Sequence, residues 1–169
     1  MTESRSRSAL AARTFAFTVL VPGTIVIAVP WLMLRSELGA FRIAPGPILA
    51  LAGALAFVAG ALLYASAARE FVSAGHGTPS TIGPPDRLVT TGPYGWIRNP
   101  IYAAVVLAVV GEGLFFGSPS LLGFALMLLG LLHARVVVVE EPGLARRFGD
   151  GYERYRSRVP RWLPRRTSS

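Results

Sequence analysis

Two stretches without a single charged side chain, residues 14–34 and 43–68, constrain this chain more than any other feature. They run for 21 and 26 residues, and a helix of about 20 residues spans the roughly 30 Å hydrocarbon core of a bilayer. The rest of the chain has a similar texture, with 52% hydrophobic and only 15% charged residues among 169. An ordinary soluble domain carries about a quarter charged residues, so soluble folds, disordered chains and collagen-like fibres are excluded. The length allows one domain, 1–169, and lipid is the solvent it is expected to fold in.

The expected fold is all-α: an integral membrane bundle of four transmembrane helices, a long cytoplasmic site-bearing loop and a C-terminal interfacial helix. The first span covers about 14–34. Pro22 and Pro30 kink it, which membrane helices tolerate when neighbours satisfy the freed carbonyls. Arg5, Arg7 and Arg13 precede it as they would a secretory signal. The apolar run is too long for a signal and lacks a small-residue cleavage site, so an uncleaved anchor is expected. The second span covers about 45–68, with Pro45 and Pro47 in its first turn and Gly53, Ala56, Gly60 and Ala67 as small residues suited to close helix packing. Residues 69–100 hold five glycines and five prolines, too many for a regular element. A loop of that length is uncommon unless it is functional or disordered, and Pro93-Tyr94-Gly95-Trp96-Ile97 argues for order, so 69–99 is read as the site-bearing loop.

Spans three and four, about 100–117 and 120–139, are separated by the turn cluster Gly117-Ser118-Pro119-Ser120. In the tail, 142–169, Leu144, Phe148, Tyr152, Tyr155 and Val159 recur at helical steps and predict one amphipathic helix lying on the membrane surface. Pro160 ends it, and Trp162 suits a headgroup-level anchor.

All 17 basic residues are Arg, and against 9 acids they leave a net charge of +8. Three precede the first span, three lie between 69 and 100, and eight fall in the last thirty residues, while the Gly117 turn has none. By the positive-inside rule both termini and the long loop face the cytoplasm of a multi-pass protein, in the cell membrane for a bacterial chain. No nucleic-acid-binding signature is present, so the basic surface is assigned to anionic membrane lipids. The absence of Cys excludes disulfides and thiolate chemistry, and with His76 and His133 the only histidines no metal site is expected.

Few residues could carry chemistry. Glu112, between Gly111 and Gly113, and His133 on span four both read first as structural. Glu140 and Glu141 directly follow four valines at the edge of the hydrocarbon, where adjacent acids require a positive partner: Arg98, Arg135 or a cationic ligand. In the loop, Tyr94 and the segment Arg98-Asn99-Pro100-Ile101-Tyr102 combine a fork-shaped cation with two phenols just before a helix. Arg clamps carboxylates through paired hydrogen bonds, and aromatic faces attract sulfonium or ammonium ions. An interfacial aromatic belt with a snorkelling Arg is the competing reading.

The string Leu88-Val89-Thr90-Thr91-Gly92-Pro93-Tyr94, then Arg98 to Tyr102, then Glu140-Glu141 with Leu144, Phe148-Gly149, Tyr152, Tyr155 and Val159-Pro160-Arg161, resembles the isoprenylcysteine carboxyl methyltransferase family. Related phospholipid methyltransferases share part of it. The resemblance covers the half of the chain from His76 onward. It implies a membrane enzyme that uses S-adenosyl-L-methionine and methylates a lipophilic small molecule or prenylated substrate, most simply at a carboxylate. By position it implies cofactor binding by Leu88, Val89, Tyr94, Arg98, Asn99, Pro100, Ile101, Tyr102 and Glu140, with Arg135 and Glu141 as catalytic candidates. No G-x-G-x-x-G of a soluble dinucleotide fold is present.

Two departures stand out. The resemblance places a substrate-binding Arg one helical turn before the first Glu, where this chain has Val136; Arg135 is its neighbour, about 100° away around an α-helix. Pro142, directly after the paired acids, should disturb entry to the tail helix. A carboxylate acceptor needs no base, only alignment and exclusion of water. A lipid amine or thiol would need one, and Glu141 or His133 then becomes the candidate. A membrane reductase and a non-enzymatic lipid-binding protein are the remaining alternatives.

Overall fold

The computed structural model describes residues 20–36, 41–73 and 87–164. The expected start of the first span at 14–19, the middle of the expected loop with His76, and the end of the tail lie outside the described residues. No β-strand occurs among the described residues. Helix α1 is Thr24–Arg35, α2 is Pro47–Ser73, α3 is Pro100–Phe115 and α4 is Pro119–Arg135. A π-helical turn, Val136–Glu140, joins α4 to α5, Glu141–Phe148, and α6, Asp150–Arg158, follows.

Two helices are long and apolar enough to cross a membrane, Pro47–Glu70 and the continuous rod Pro119–Phe148. Thr24–Arg35 and Pro100–Phe115 are shorter and apolar. Their large side chains point outward: Leu62 is 66% exposed, Leu126 71% and Val138 72%. So much apolar surface would collapse on itself in water, whereas lipid solvates it. This is the architecture of a membrane protein.

Between α2 and α3 the backbones approach through glycine. A Cβ on Gly53 would lie 2.5 Å from the Phe115 amide nitrogen, and one on Gly111 2.5 Å from that of Phe57. In lipid, where hydrophobic drive between helices is weak, such approach supplies the dispersion contact that holds two helices together. Gly111→Ala is therefore expected to cost about 2 kcal/mol by overpacking. Gly123→Ala, which meets nothing within 4 Å, is the neutral control when thermal unfolding of the two variants is compared in detergent. Against α4, α3 packs through Val105, Val109, Ala125 and Leu128, with Ile25, Val26 and Tyr64 closing on the same cluster.

The α3–α4 hairpin turns at Gly117, whose φ of +58 suits glycine. Ile43 donates its amide to the Gly117 carbonyl at 2.8 Å, tying the approach to α2 onto this turn. Ser118 caps α4 by accepting from the Leu121 amide.

The tail differs from the expected single helix. It breaks at Gly149, with φ 50 and ψ −130, into α5 and α6. The break lets α6 fold back toward the loop, so that Tyr152 becomes 1% exposed instead of facing a membrane surface. The expected loop also begins later than residue 69, because α2 continues to Ser73, and its visible part contains a 3-10 turn, Gly92–Gly95.

Candidate functional site

Adjacent residues on one helix point about 100° apart, so Glu140 and Glu141 necessarily serve different surroundings. Glu141 turns to the loop and tail and is 8% exposed. Arg161 grips it as a fork, Nε to Oε1 at 2.7 Å and Nη2 to Oε2 at 3.0 Å, and Arg98 Nη1 lies 3.0 Å from Oε1. Glu140 turns to α3, where the Tyr102 hydroxyl donates to its Oε1. Arg135 Nε donates to the same oxygen at 2.8 Å.

The loop is sewn to the tail around the first of these clusters. The Arg98 amide donates to the Pro160 carbonyl at 2.9 Å, and Arg98 Nη1 to the Tyr152 hydroxyl at 3.2 Å. Asn99 Nδ2 donates to the Arg161 carbonyl at 3.2 Å, and Tyr155 Oη to the Tyr94 carbonyl at 2.7 Å. Burial foremost raises the Tyr94 phenol well above its usual value, with Tyr155, Tyr102, Tyr64 and Glu140 adding to it. Burial likewise raises Tyr155. Both therefore stay neutral across the physiological range. At the other end of the loop, Thr91 Oγ1 donates to Glu70 Oε2 at 2.7 Å. Gly92 adopts a φ of +57 there, and a Cβ on it would also meet the Glu70 carboxyl carbon at 2.8 Å.

Of the residues singled out from sequence, Tyr102, Glu140 and Arg135 form one cluster, and Arg98, Asn99 and Glu141 belong to the other. Val89 and Tyr94 pack with Ala67 and Ile101 into an apolar wall between loop and α2. Leu88 is half-buried beside it, and Pro100 is buried in the first turn of α3. Glu112 keeps Oε2 buried with no hydrogen-bond partner among the described residues. Trp162 Nε1 donates to His133 Nδ1 at 3.0 Å.

Sequence reasoning passed over Tyr64. It lines a cavity of about 500 Å³ between α1, α2 and α3, whose walls include Ile27, Phe57, Gly60, Ala104 and Ala108. Tyr64 also contributes to the upward shift of the Tyr94 phenol. The signal was its position as the single phenol in the uncharged run 43–68.

The donor set fits S-adenosylmethionine. An amino-acid zwitterion requires an anion and a cation at short range, supplied by Glu140 and Arg135. A sulfonium favours carboxylate and aromatic faces, supplied by Glu140 and Tyr102. Among the described residues no group of three His, Cys, Asp or Glu side chains could hold a metal ion.

A family model described as phospholipid methyltransferase matches residues 48–151. The protein-S-isoprenylcysteine O-methyltransferase of Schizosaccharomyces pombe is 37% identical over 78 residues, 46% of this chain and 33% of that protein. The nickel-cobalt-cadmium resistance protein NccN of Alcaligenes xylosoxydans xylosoxydans is 33% identical over 78 residues, 46% of this chain and 36% of that protein. The chain thus spans about a third of the length of the curated relatives it matches.

Proposed function

The chain belongs to the phospholipid methyltransferase family, and we propose that it is an S-adenosylmethionine-dependent methyltransferase acting on a lipophilic carboxylate, in the manner of isoprenylcysteine O-methylation. The observation that carries this reading is Tyr102 and Arg135 converging on the Glu140 carboxylate; an apolar cavity of about 500 Å³ between α1, α2 and α3 supplies room for a lipophilic chain. On this reading the four apolar helices are four spans of one domain, the loop and both termini face the cytoplasm, and membrane lipids surround the rest.

When bound, the cofactor supplies a methyl group made electrophilic by its sulfonium. Glu140 and Tyr102 hold that positive centre, the Val89, Tyr94 and Ile101 wall excludes water, and the acceptor's chain occupies the cavity with its head at Tyr64. A carboxylate acceptor is already anionic, so alignment and dehydration are what the protein contributes, and no side chain needs to take a proton. Glu141, gripped by two arginines, serves as the tie between loop and tail rather than as a base.

Incubation of the purified protein with methyl-labelled S-adenosylmethionine and a prenylated cysteine is expected to yield a base-labile methyl ester. A base-stable product would favour an amine or thiol acceptor, and binding of NADPH without S-adenosylmethionine would favour a reductase. Tyr102→Phe, which removes only the hydroxyl donated to Glu140, is expected to weaken cofactor binding about tenfold, as loss of a charge-assisted hydrogen bond does. Calorimetry in detergent measures it, and unchanged affinity would count against the assignment.

A further inference from the structure

The turn that carries Glu140 is wider than an α-helical turn, and it is not the first of its kind in the chain. In the π turn Val136–Glu140 the Glu141 amide closes onto the Val136 carbonyl, five residues back. In α1 the π turn Thr24–Ala28 is closed in the same way, by the Val29 amide onto the Thr24 carbonyl. The next residue after each closing amide is a proline, Pro142 in one and Pro30 in the other. Proline has no N–H, and its ring collides with the carbonyl four residues back. For Pro142 that carbonyl is Val138 and for Pro30 it is Val26, each inside the widened turn. Two occurrences at one offset tie the widening to the proline.

The widening decides what meets Glu140. On an α-helix, residues five apart lie about 140° apart around the axis, too far to pair. A turn closed from residue i to i+5 brings them nearly over one another. Arg135 and Glu140 are five apart, and the widened turn lets Nε reach Oε1 at 2.8 Å. Of the four valines in the turn only Val136 is buried, while Val137, Val138 and Val139 are exposed. Nε is committed to Glu140 and the guanidinium also interacts with the Tyr102 hydroxyl, yet the Arg135 side chain remains 48% exposed, so part of its edge faces outward.

We propose that Pro142 is a positioning residue: by forbidding α closure it holds the π turn that brings Arg135 onto the Glu140 face, where the open edge of the guanidinium anchors a carboxylate of the bound ligand. The ligand part rests on the function proposed above; the geometry does not. That carboxylate belongs to the cofactor or to the acceptor.

The chain has no cysteine, so thiol pairs can be introduced cleanly. With Arg135→Cys and Glu140→Cys, dibromobimane is expected to bridge the pair at least about tenfold faster than the pair Leu126→Cys and Leu131→Cys, which has the same separation on regular α4. Adding Pro142→Ala to the first pair should remove most of that advantage. Equal rates for the two pairs, or an advantage that survives Pro142→Ala, would overturn the proposal, and these rates decide it with or without turnover. In the cysteine-free chain, Pro142→Ala and Arg135→Gln are each expected to weaken one ligand about tenfold with kcat held within about threefold, and the double variant is expected to be no weaker than either, because both remove the same contact. A rise in the Kd for S-adenosylmethionine identifies the cofactor's carboxylate as the anchored group, and a rise in KM for N-acetyl-S-farnesylcysteine identifies the acceptor's. Additive losses would overturn a positioning role for Pro142.

Discussion

Glu140→Ala is expected to lower methyl transfer, and the affinity for S-adenosylmethionine with it, by at least about 100-fold, which corresponds to about 2.7 kcal/mol. The carboxylate is the common partner of Tyr102 and Arg135, so its removal takes one charge from the site and leaves two donors pointing at a void. Loss of a charge-assisted hydrogen bond costs about 1.5–3 kcal/mol, and an uncompensated cation adds to that. Glu140→Gln separates shape from charge: it keeps an acceptor for Tyr102 but no attraction for a sulfonium or ammonium, and is expected to recover at most about tenfold of the loss. The fold should survive both changes, because the side chain is only partly buried and ties no segment of the tail. Calorimetry with the cofactor and a thermal scan of the same sample separate the two effects. Cofactor affinity within about threefold of the parent in Glu140→Ala would remove this carboxylate from the site.

What could be read from the chain and what could not divides along physical lines. Uncharged runs report burial in lipid directly, and for that reason most of α2 was legible, its small residues Gly53 and Gly60 included, though not its partner α3 nor its extension to Ser73. The π turn was not. Counting at α geometry put Arg135 about 100° from Val136, the position that the resemblance gives to a substrate-binding Arg, and no local propensity marks a turn as one residue wider. The only sign was Pro142, which could be recognised as a disturbance of the helix without its direction being evident. The fold-back of the tail was hidden for a related reason. Leu144, Phe148, Tyr152, Tyr155 and Val159 fit a single helical face, and a glycine inside such a pattern reads as a tolerated weakness until its φ of 50 turns it into a corner. Spacing alone does not separate Glu140 from Glu141, and the resemblance made the first cofactor-binding and the second a catalytic candidate. Their separation into a carboxylate paired with Tyr102 and Arg135 and a buried tie between loop and tail depends on which neighbours lie about 100° apart, and those come from α3, the loop and the residues after α6.

That tie carries the largest expected effect on stability. Glu141→Ala is expected to destabilise the protein by about 3–5 kcal/mol, the usual result of removing one partner from a buried ion pair. The reason is what remains: Arg98 and Arg161, both aimed at the vacated position, with Arg98 Nε already buried without a partner among the described residues. For a chain of this size about 3 kcal/mol lowers the unfolding midpoint by roughly 10 °C. The loop should then loosen from the tail, since Arg98 and Asn99 hold Pro160 and Arg161 through the same corner. Limited proteolysis after Arg87 or Arg98 would report that loosening before global unfolding. Replacing all three charges together, Glu141→Leu with Arg98→Met and Arg161→Met, leaves no stranded charge and is expected to restore most of the lost stability, because desolvating ions costs about as much as their pairing returns. If the triple variant binds S-adenosylmethionine at near-parental affinity, the arginines and Glu141 act only as a brace. If it is stable yet binds nothing, Arg98 contacts the cofactor as well, which is the role the resemblance implies for it.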